Sequence, residues 1–217
     1  MAIGMTYLDP SPGVDSHAPE VIAAARAQTA GAGDPREAAV RLFGFVRDGF
    51  RYSAFAPFQT LRDYEGASLL KRGHGFCTQK SALLVALCRA SGIPARFHFA
   101  DLVNHNLPGR LGEVLGSNVM IFHTYAEIRL EGHWFKATPS FEKSLCERMG
   151  WYTADFDGRG DAILKPTDLA GRPHIEYVKD RGTDAGLPLE AILDAWLAGY
   201  GPETLQRWEA AARLAEG

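Results

Sequence analysis

Cys77 is the residue best placed for nucleophilic chemistry. It stands in Gly73-His74-Gly75-Phe76-Cys77-Thr78-Gln79, after a glycine-flanked turn and at the head of a run too apolar to lie on a surface. Gly73 and Gly75 bracket His74 and permit a tight approach to a helix start. At such a start, unpaired backbone N–H groups and the positive end of the helix dipole stabilise a thiolate, the attacking form of cysteine. The same side chain is also a small hydrophobe of the kind common in cores, and this stretch alone fits either role. His74 likewise reads as a donor to an oxyanion or as an exposed turn histidine.

A thiol nucleophile needs a base, and His123 is the candidate. A strand is expected over 120–130, a tight turn at Glu131-Gly132, and a further strand over 133–138. A two-residue loop then pairs Leu130 with His133, Ile128 with Phe135, Glu127 with Lys136, Tyr125 with Thr138 and His123 with Ser140. One face carries His123, Tyr125, Glu127, Lys136, Thr138 and Ser140; the other is mostly apolar. The opposite charges of Glu127 and Lys136 support this register and give both a structural reading. Tyr125 reads as packing beside the base.

The elements that must hold these two residues follow from periodicity. Ala82-Leu83-Leu84-Val85-Ala86-Leu87-Cys88 is apolar on every face, as in a helix at the centre of a domain, and Gly92 with Pro94 stops it. Before it, 19–30 is a helix with proline first. Asp34 begins another, near a capping box with Glu37, whose core face is Ala39, Leu42, Phe43, Val46 and Phe50. A short helix is expected near 67–71. After the central helix the period changes to two, and Ala95, Phe97 and Phe99 mark a strand. The glycine-rich span 102–118 reads as a long loop or lid over a site. Beyond Ser140 the signal weakens: 151–168 is loop-rich, 174–178 a strand, and 188–198 and 202–216 closing helices. In the last, Leu205, Trp208 and Ala212 form a core stripe. Helices, then a buried cysteine-bearing helix, then strands bearing histidine make an α+β pattern.

Composition narrows the partners. The chain has 217 residues, 46% hydrophobic and 23% charged, which is enough for one sizeable core and points to a single domain over 1–217. Net charge is −3 with no basic run, which disfavours nucleic acid and anionic membrane. No apolar stretch is long enough to cross a bilayer, and the first residues lack the pattern of a signal peptide. Three cysteines, an odd number, suit a reducing, cytoplasmic setting better than a disulfide scaffold. Cys77 and Cys88 on one helix stand roughly 16 Å apart, beyond the ~7 Å that a disulfide spans. Cys88 reads as core, and Cys146 carries no signal. His98, Asp101 and His105 straddle a strand end and a loop and lack paired metal-ligand spacing. Asp155-Phe156-Asp157-Gly158 has calcium-loop character, but Pro166 stands where the closing glutamate belongs. His17, His133 and His174 read as surface or satisfied histidines. No cofactor is expected.

Taken together, these residues resemble a known family. Gly75-Phe76-Cys77 heads a helix that ends Leu87-Cys88-Arg89-Ala90-Ser91-Gly92-Ile93-Pro94-Ala95-Arg96. His123-Thr124-Tyr125-Ala126-Glu127 follows on a strand, then Trp134 and Thr138-Pro139-Ser140. This order and spacing, over roughly 35–140, resembles the core of the transglutaminase-like superfamily. The resemblance implies a papain-like fold, with the cysteine-bearing helix packed on an antiparallel sheet. Extra helices flank it, including a C-terminal extension over 141–217. It implies Cys77 as nucleophile, His123 as general base, and a thiolate paired with protonated His123. Tyr52 falls where many members carry a tyrosine near the site. Members form a thioester from a glutamine amide or peptide bond and pass the acyl group to an amine or to water. A peptide, protein or amide substrate is thus implied, as is a hydrolase or transferase in a bacterial-looking chain.

One position departs from the family pattern. Members commonly carry Asp-Pro-Thr where this chain has Thr138-Pro139-Ser140, and that aspartate orients the histidine. Thr138 can accept a hydrogen bond from the imidazole and fix its tautomer, but it cannot stabilise an imidazolium as a carboxylate does. Three readings follow. Thr138 is a neutral orienting group; or Asp101, Asp155 or Asp157 fills in; or the chain is a catalytically degraded member that binds a peptide or protein.

Overall fold

The structure is a computed structural model that describes residues 7–107 and 109–216. Of the irregular N-terminal segment expected over 1–18, residues 1–6 therefore lie outside the described part, as does Pro108 in the expected lid. From Tyr7 the chain runs along the surface, and Asp15 turns inward. Its carboxylate accepts the Gly66 and Ala67 N–H groups at 2.6 and 3.0 Å, which caps a helix 51 residues away.

Two helices come first, α1 (Pro19–Thr29) and α2 (Pro35–Gly49), each with proline in its first turn. Asp34 caps α2 by accepting the Glu37 N–H at 2.8 Å. Glu37 reaches back to the Gly33 N–H rather than to that of Asp34, so the reciprocal box is displaced by one residue. Leu42, Phe43 and Val46 are buried as their spacing predicts. The two-residue strand β1 (Arg51–Tyr52), helix α3 (Gly66–Arg72) and the two-residue strand β2 (His74–Gly75) lead to the central helix α4 (Cys77–Ala90). Every residue of α4 from Cys77 to Arg89 is buried.

Beyond α4 lie β3 (Ala95–Asn104), α5 (Gly109–Leu115), β4 (Val119–Leu130), β5 (His133–Ala137), α6 (Lys143–Met149), β6 (Ile175–Asp184), α7 (Leu189–Tyr200) and α8 (Thr204–Glu216). The main sheet is antiparallel, in the order β5-β4-β3-β6. Helix α4 packs on β4 and β3, while α1, α2 and α3 pack around α4. The result is the α+β architecture that the helix and strand order predicts.

Five details differ from expectation. The span 102–118 is not one loop: β3 continues to Asn104, and α5 is a helix. Its glycines and proline hid a short element that the period of 3.6 had no length to reveal. Helix α6 is an addition to the expected elements, and β6 is longer than its apolar signal because most of it is exposed. The β4–β5 hairpin has the expected register from Leu130↔His133 to Ala126↔Ala137 but stops there, so the Tyr125–Thr138 and His123–Ser140 pairs do not form. The Thr138 N–H instead donates to the Ala162 carbonyl at 2.9 Å, and Pro139 has no N–H to extend the ladder. Finally, the Glu127 carboxylate binds Arg96 and His98, each at 2.7 Å, rather than Lys136. The Lys136 ammonium lies over the Tyr125 ring, 5.7 Å from its centroid.

Candidate active site

Two local devices set Cys77 at the head of α4. The parallel pair β1–β2 matches Arg51 with His74 and Tyr52 with Gly75, so Tyr52 stands beside the turn that leads into Cys77. Gly73 takes the left-handed conformation, φ 75°, that ends α3. Gly75 is needed for space: a Cβ there would lie 2.7 Å from Gln79 Oε1 and 3.0 Å from Leu69 Cδ1. Gln79 cannot yield, because its amide donates to the Pro57 and Asp63 carbonyls at 2.6 and 3.0 Å and its Oε1 accepts the Phe76 N–H. His74 is half-buried, with Nδ1 3.1 Å from the Arg72 carbonyl oxygen, and it is not part of the cavity wall at Cys77.

A polar seam joins the cysteine helix to the histidine strand. Thr78 Oγ1 and Thr124 Oγ1 are 3.0 Å apart, Thr124 Oγ1 donates to the Phe122 carbonyl, and Ser81 Oγ donates to the Thr124 carbonyl at 3.0 Å. One turn deeper, buried Lys80 donates to the Arg47 and Phe50 carbonyls at 2.9 and 2.7 Å, which fastens the end of α2 to α4. Burial lowers the Lys80 ammonium to about 8, against the pull of Glu142 and Asp48. None of these polar residues stands out from the sequence, because a threonine, serine or lysine in a helix or strand usually faces solvent.

A bulge in β4 aims His123. Ala100 pairs with His123 and Leu102 with Met120, so the register shifts by one between them. Phe122 takes up the shift with φ 59°, and its N–H donates to Asp101 Oδ1 at 3.0 Å. Asp101 also holds Arg181 through two contacts at 2.5 and 2.8 Å, and the Arg181 guanidinium lies over the Phe122 ring at 4.3 Å. The C-terminal helices brace the other side. Trp196 Nε1 donates to the Ile121 carbonyl at 2.8 Å, and the Tyr200 hydroxyl bridges the Ile121 N–H and the Val119 carbonyl.

Cys77 and His123 both line one cavity of 430 Å³ whose remaining wall is largely apolar. His123 is 5% exposed, and its Nε2 has no hydrogen-bond partner among the described residues. Desolvation alone lowers the imidazole to about 4. Desolvation raises the Cys77 thiol, opposed by the N–H groups of Thr124, Thr78 and Cys77 and by the Thr78 hydroxyl. Both shifts favour the neutral forms, thiol and uncharged imidazole. These directions run against the expected thiolate–imidazolium pair, because burial outweighs the helix-start N–H groups and no carboxylate is paired with His123 among the described residues.

Tyr52 also lines the cavity, against Phe141 at 4.8 Å, and its phenol is raised well above the ordinary range, first by desolvation and then by Cys77. Thr138 is 1% exposed, and its Oγ1 makes no hydrogen bond to His123; its neighbour is the Tyr177 hydroxyl, outside good hydrogen-bond geometry. The Tyr177 hydroxyl lies beside it and is raised to about 12, chiefly by desolvation. Tyr177 also meets His123 edge to face at 6.2 Å. Ser140, buried and unpartnered at Oγ, lines the cavity too. Thr138, Ser140 and Tyr177 thus make a buried hydroxyl cluster on the His123 side, part of it unforeseen.

The alternative carboxylates are engaged elsewhere. Asp101 serves Phe122 and Arg181, Asp155 binds Arg47, and Asp157 accepts the Arg159 and Gly160 N–H groups. His98 is held between Glu127 and Asp180, which leaves no metal centre with Asp101 and His105. Among the described residues no group of three or more His, Cys, Asp or Glu side chains is arranged to hold a metal ion. His174 is neither at the surface nor satisfied: it is 2% exposed, stacks on Trp151 at 4.5 Å and leaves Nε2 unpartnered. Cys88 is core, its thiol raised to about 12 by burial, and Cys146 is buried on α6. No helix among the described residues is long and apolar enough to cross a membrane.

Residues 22–139 match the model of the transglutaminase-like superfamily. No curated protein gives a match. A solved structure of a candidate cysteine protease from Cytophaga hutchinsonii aligns with a TM-score of 0.56 at 16% identity, covering 86% of this chain and 48% of that one. A candidate protease from Parabacteroides distasonis aligns with a TM-score of 0.41 at 14% identity, over 58% of this chain and 24% of that one. The chain thus spans about half the length of the first structure and a quarter of the second, and at these identities the likeness to the first is one of fold.

Proposed function

This chain belongs to the transglutaminase-like superfamily, and from that premise we propose that it is a cysteine-dependent acyl-transfer enzyme acting on an amide or peptide. The observation that carries the reading is the shared cavity. Cys77 at the first position of α4 and His123 on β4 open onto the same apolar space, and His123 Nε2 is left unpartnered at its wall.

In this reading an amide carbonyl enters the cavity, and neutral His123 takes the thiol proton as Cys77 Sγ bonds to the carbonyl carbon. The Cys77 backbone N–H and a second donor hold the oxyanion. The C–N bond breaks, and His123 returns its proton to the leaving amine. Water or an amine then attacks the thioester, loses its proton to His123 and restores the thiol. An uncharged resting histidine is a competent base for this sequence. Burial lowers its basicity, and the attraction between the imidazolium and the oxyanion, strong in a water-poor site, opposes that loss. Thr138 serves as a neutral neighbour on the histidine side, and Tyr52 as a wall beside the sulfur.

A second reading is a peptide- or protein-binding module with an inert cysteine. Two observations favour it: desolvation is the sole cause of the His123 shift, and Thr138 makes no bond to the imidazole. Activated p-nitrophenyl acyl esters separate the two. The enzyme reading expects p-nitrophenolate release with acyl mass on Cys77, faster than a free thiol by roughly 100-fold or more from base assistance. It also expects loss of that release in Cys77→Ala and His123→Ala. Acylation of folded protein at the free-thiol rate leaves the binding module.

A further inference from the structure

We propose that the acyl group accepted beside Cys77 is a large apolar one that carries a carboxylate, rather than a glutamine side chain. This rests on the acyl-enzyme reading above and narrows its substrate class. The inner wall of the cavity is built from buried apolar side chains, among them Leu102, Leu111, Trp151, Leu164 and Ile175. A glutamine amide placed against them would lose its hydrogen bonds to water and find few in return. A phenylalanine- or leucine-sized group would fill the space without that cost, and 430 Å³ is within the usual range of small-molecule sites.

The charge of the lining points the same way. Among the described residues no aspartate or glutamate lines the cavity, although the whole chain is acidic at −3. Two arginines do, Arg51 before Tyr52 and Arg110 on α5, and both are exposed, which sets them at the mouth. Neither closes an ion pair among the described residues; the Arg110 guanidinium rests over the Phe55 ring at 5.6 Å. The buried Glu142 carboxylate behind this wall is taken by the Tyr52 N–H at 2.9 Å and pairs with neither arginine, so the two cations at the edge of an apolar well complement an anion tethered to an apolar group. Arg110 and Leu111 come from α5, so the segment over 102–118 is a wall of this site.

Three chloromethyl ketones test the assignment: succinyl-phenylalanyl, acetyl-phenylalanyl and acetyl-glutaminyl. Alkylation of Cys77 in the intact chain is followed by mass spectrometry. The phenylalanyl reagents should outpace the glutaminyl one on the order of 10- to 100-fold, from apolar burial. The succinyl reagent should outpace the acetyl one by roughly tenfold, from charge-assisted bonds. That second ratio should fall to about one in Arg51→Gln/Arg110→Gln. Equal or faster reaction of the glutaminyl reagent overturns the proposal, as does a succinyl advantage that survives in the double variant. Calorimetric binding to Cys77→Ala supplies a readout free of thiol reactivity. Tighter binding of succinyl-phenylalaninamide than of acetyl-glutaminamide upholds the pocket's selectivity even when every ketone leaves Cys77 unmodified, an outcome that removes only the acyl-enzyme reading. Equal binding overturns the selectivity.

Discussion

The Tyr200 hydroxyl accepts the Ile121 N–H at 2.6 Å and donates to the Val119 carbonyl at 2.9 Å, completing the backbone of β4 next to the His123 bulge. A residue of α7, outside the part of the chain that matches the family, thereby holds the strand that bears the candidate base. Tyr200→Phe removes both bonds and strands two backbone groups in a partly buried place. It should cost about 1–3 kcal/mol in denaturant unfolding. It should also slow acylation of Cys77 more than iodoacetamide labelling, because it loosens the base and not the thiol. Equal slowing of both reactions would show that α7 braces the fold without aiming His123.

Gly75 fixes the other partner. Its missing Cβ is the space filled by Gln79 Oε1 at 2.7 Å and Leu69 Cδ1 at 3.0 Å. Gly75→Ala must displace a glutamine tied to Pro57 and Asp63, or shift the backbone two residues before Cys77. A loss of about 1–3 kcal/mol in thermal or denaturant unfolding is expected. An alanine variant as stable as the parent would mean that the turn relaxes freely, and the approach to Cys77 would not be tight.

Such close approaches explain why the fold was legible and the site only partly so. The apolar run of α4, the proline start of α1, the Asp34 cap of α2 and the Glu131-Gly132 turn are local signals, and each matches the structure. The identities of Cys77 and His123 as candidates also followed from local context. What escaped were relationships that depend on distant chain. Thr124 matters through Thr78 and Ser81, Lys80 through the carbonyls ending α2, and Tyr200 through β4, and no periodicity encodes a partner 30 to 81 residues away. The hairpin register was right while the ladder lasted. It failed at Thr138, where Ala162 takes the N–H that a two-strand calculation assigns to β4.

His123 makes stability depend on pH in a defined direction. Its imidazole is lowered by desolvation to about 4, from an ordinary value of 6.5. The unfolded chain therefore binds a proton below about 6.5 that the folded chain refuses until near 4. The stability associated with neutral His123 is fully present above about 6.5 and is lost as pH falls toward 4. The loss is on the order of 3 kcal/mol over that window. Urea unfolding at pH 7.5, 6 and 5 measures it, and His123→Phe should flatten the decline. A parallel decline in the variant would trace the acid sensitivity to other groups, His174 first among them, since burial lowers it too.

Thr138→Asp asks whether the departure from the family pattern concerns the imidazole at all. The position is buried, its hydroxyl is unpartnered, and the Tyr177 hydroxyl beside it is a ready donor to a carboxylate. A charge introduced there loses hydration, so the variant should be less stable by a few kcal/mol at neutral pH. In return a carboxylate on the histidine side favours imidazolium, and the NMR titration of His123 should move up from about 4 toward or beyond 6.5. Acylation of Cys77 should then hold or rise, because the carboxylate stabilises the cation formed when the thiol proton is taken. A folded variant with an unmoved His123 titration would place Thr138 out of electrical reach of the ring. A moved titration with acylation abolished would mean that neutrality at this position is required, and that the base works here because it is uncharged at rest.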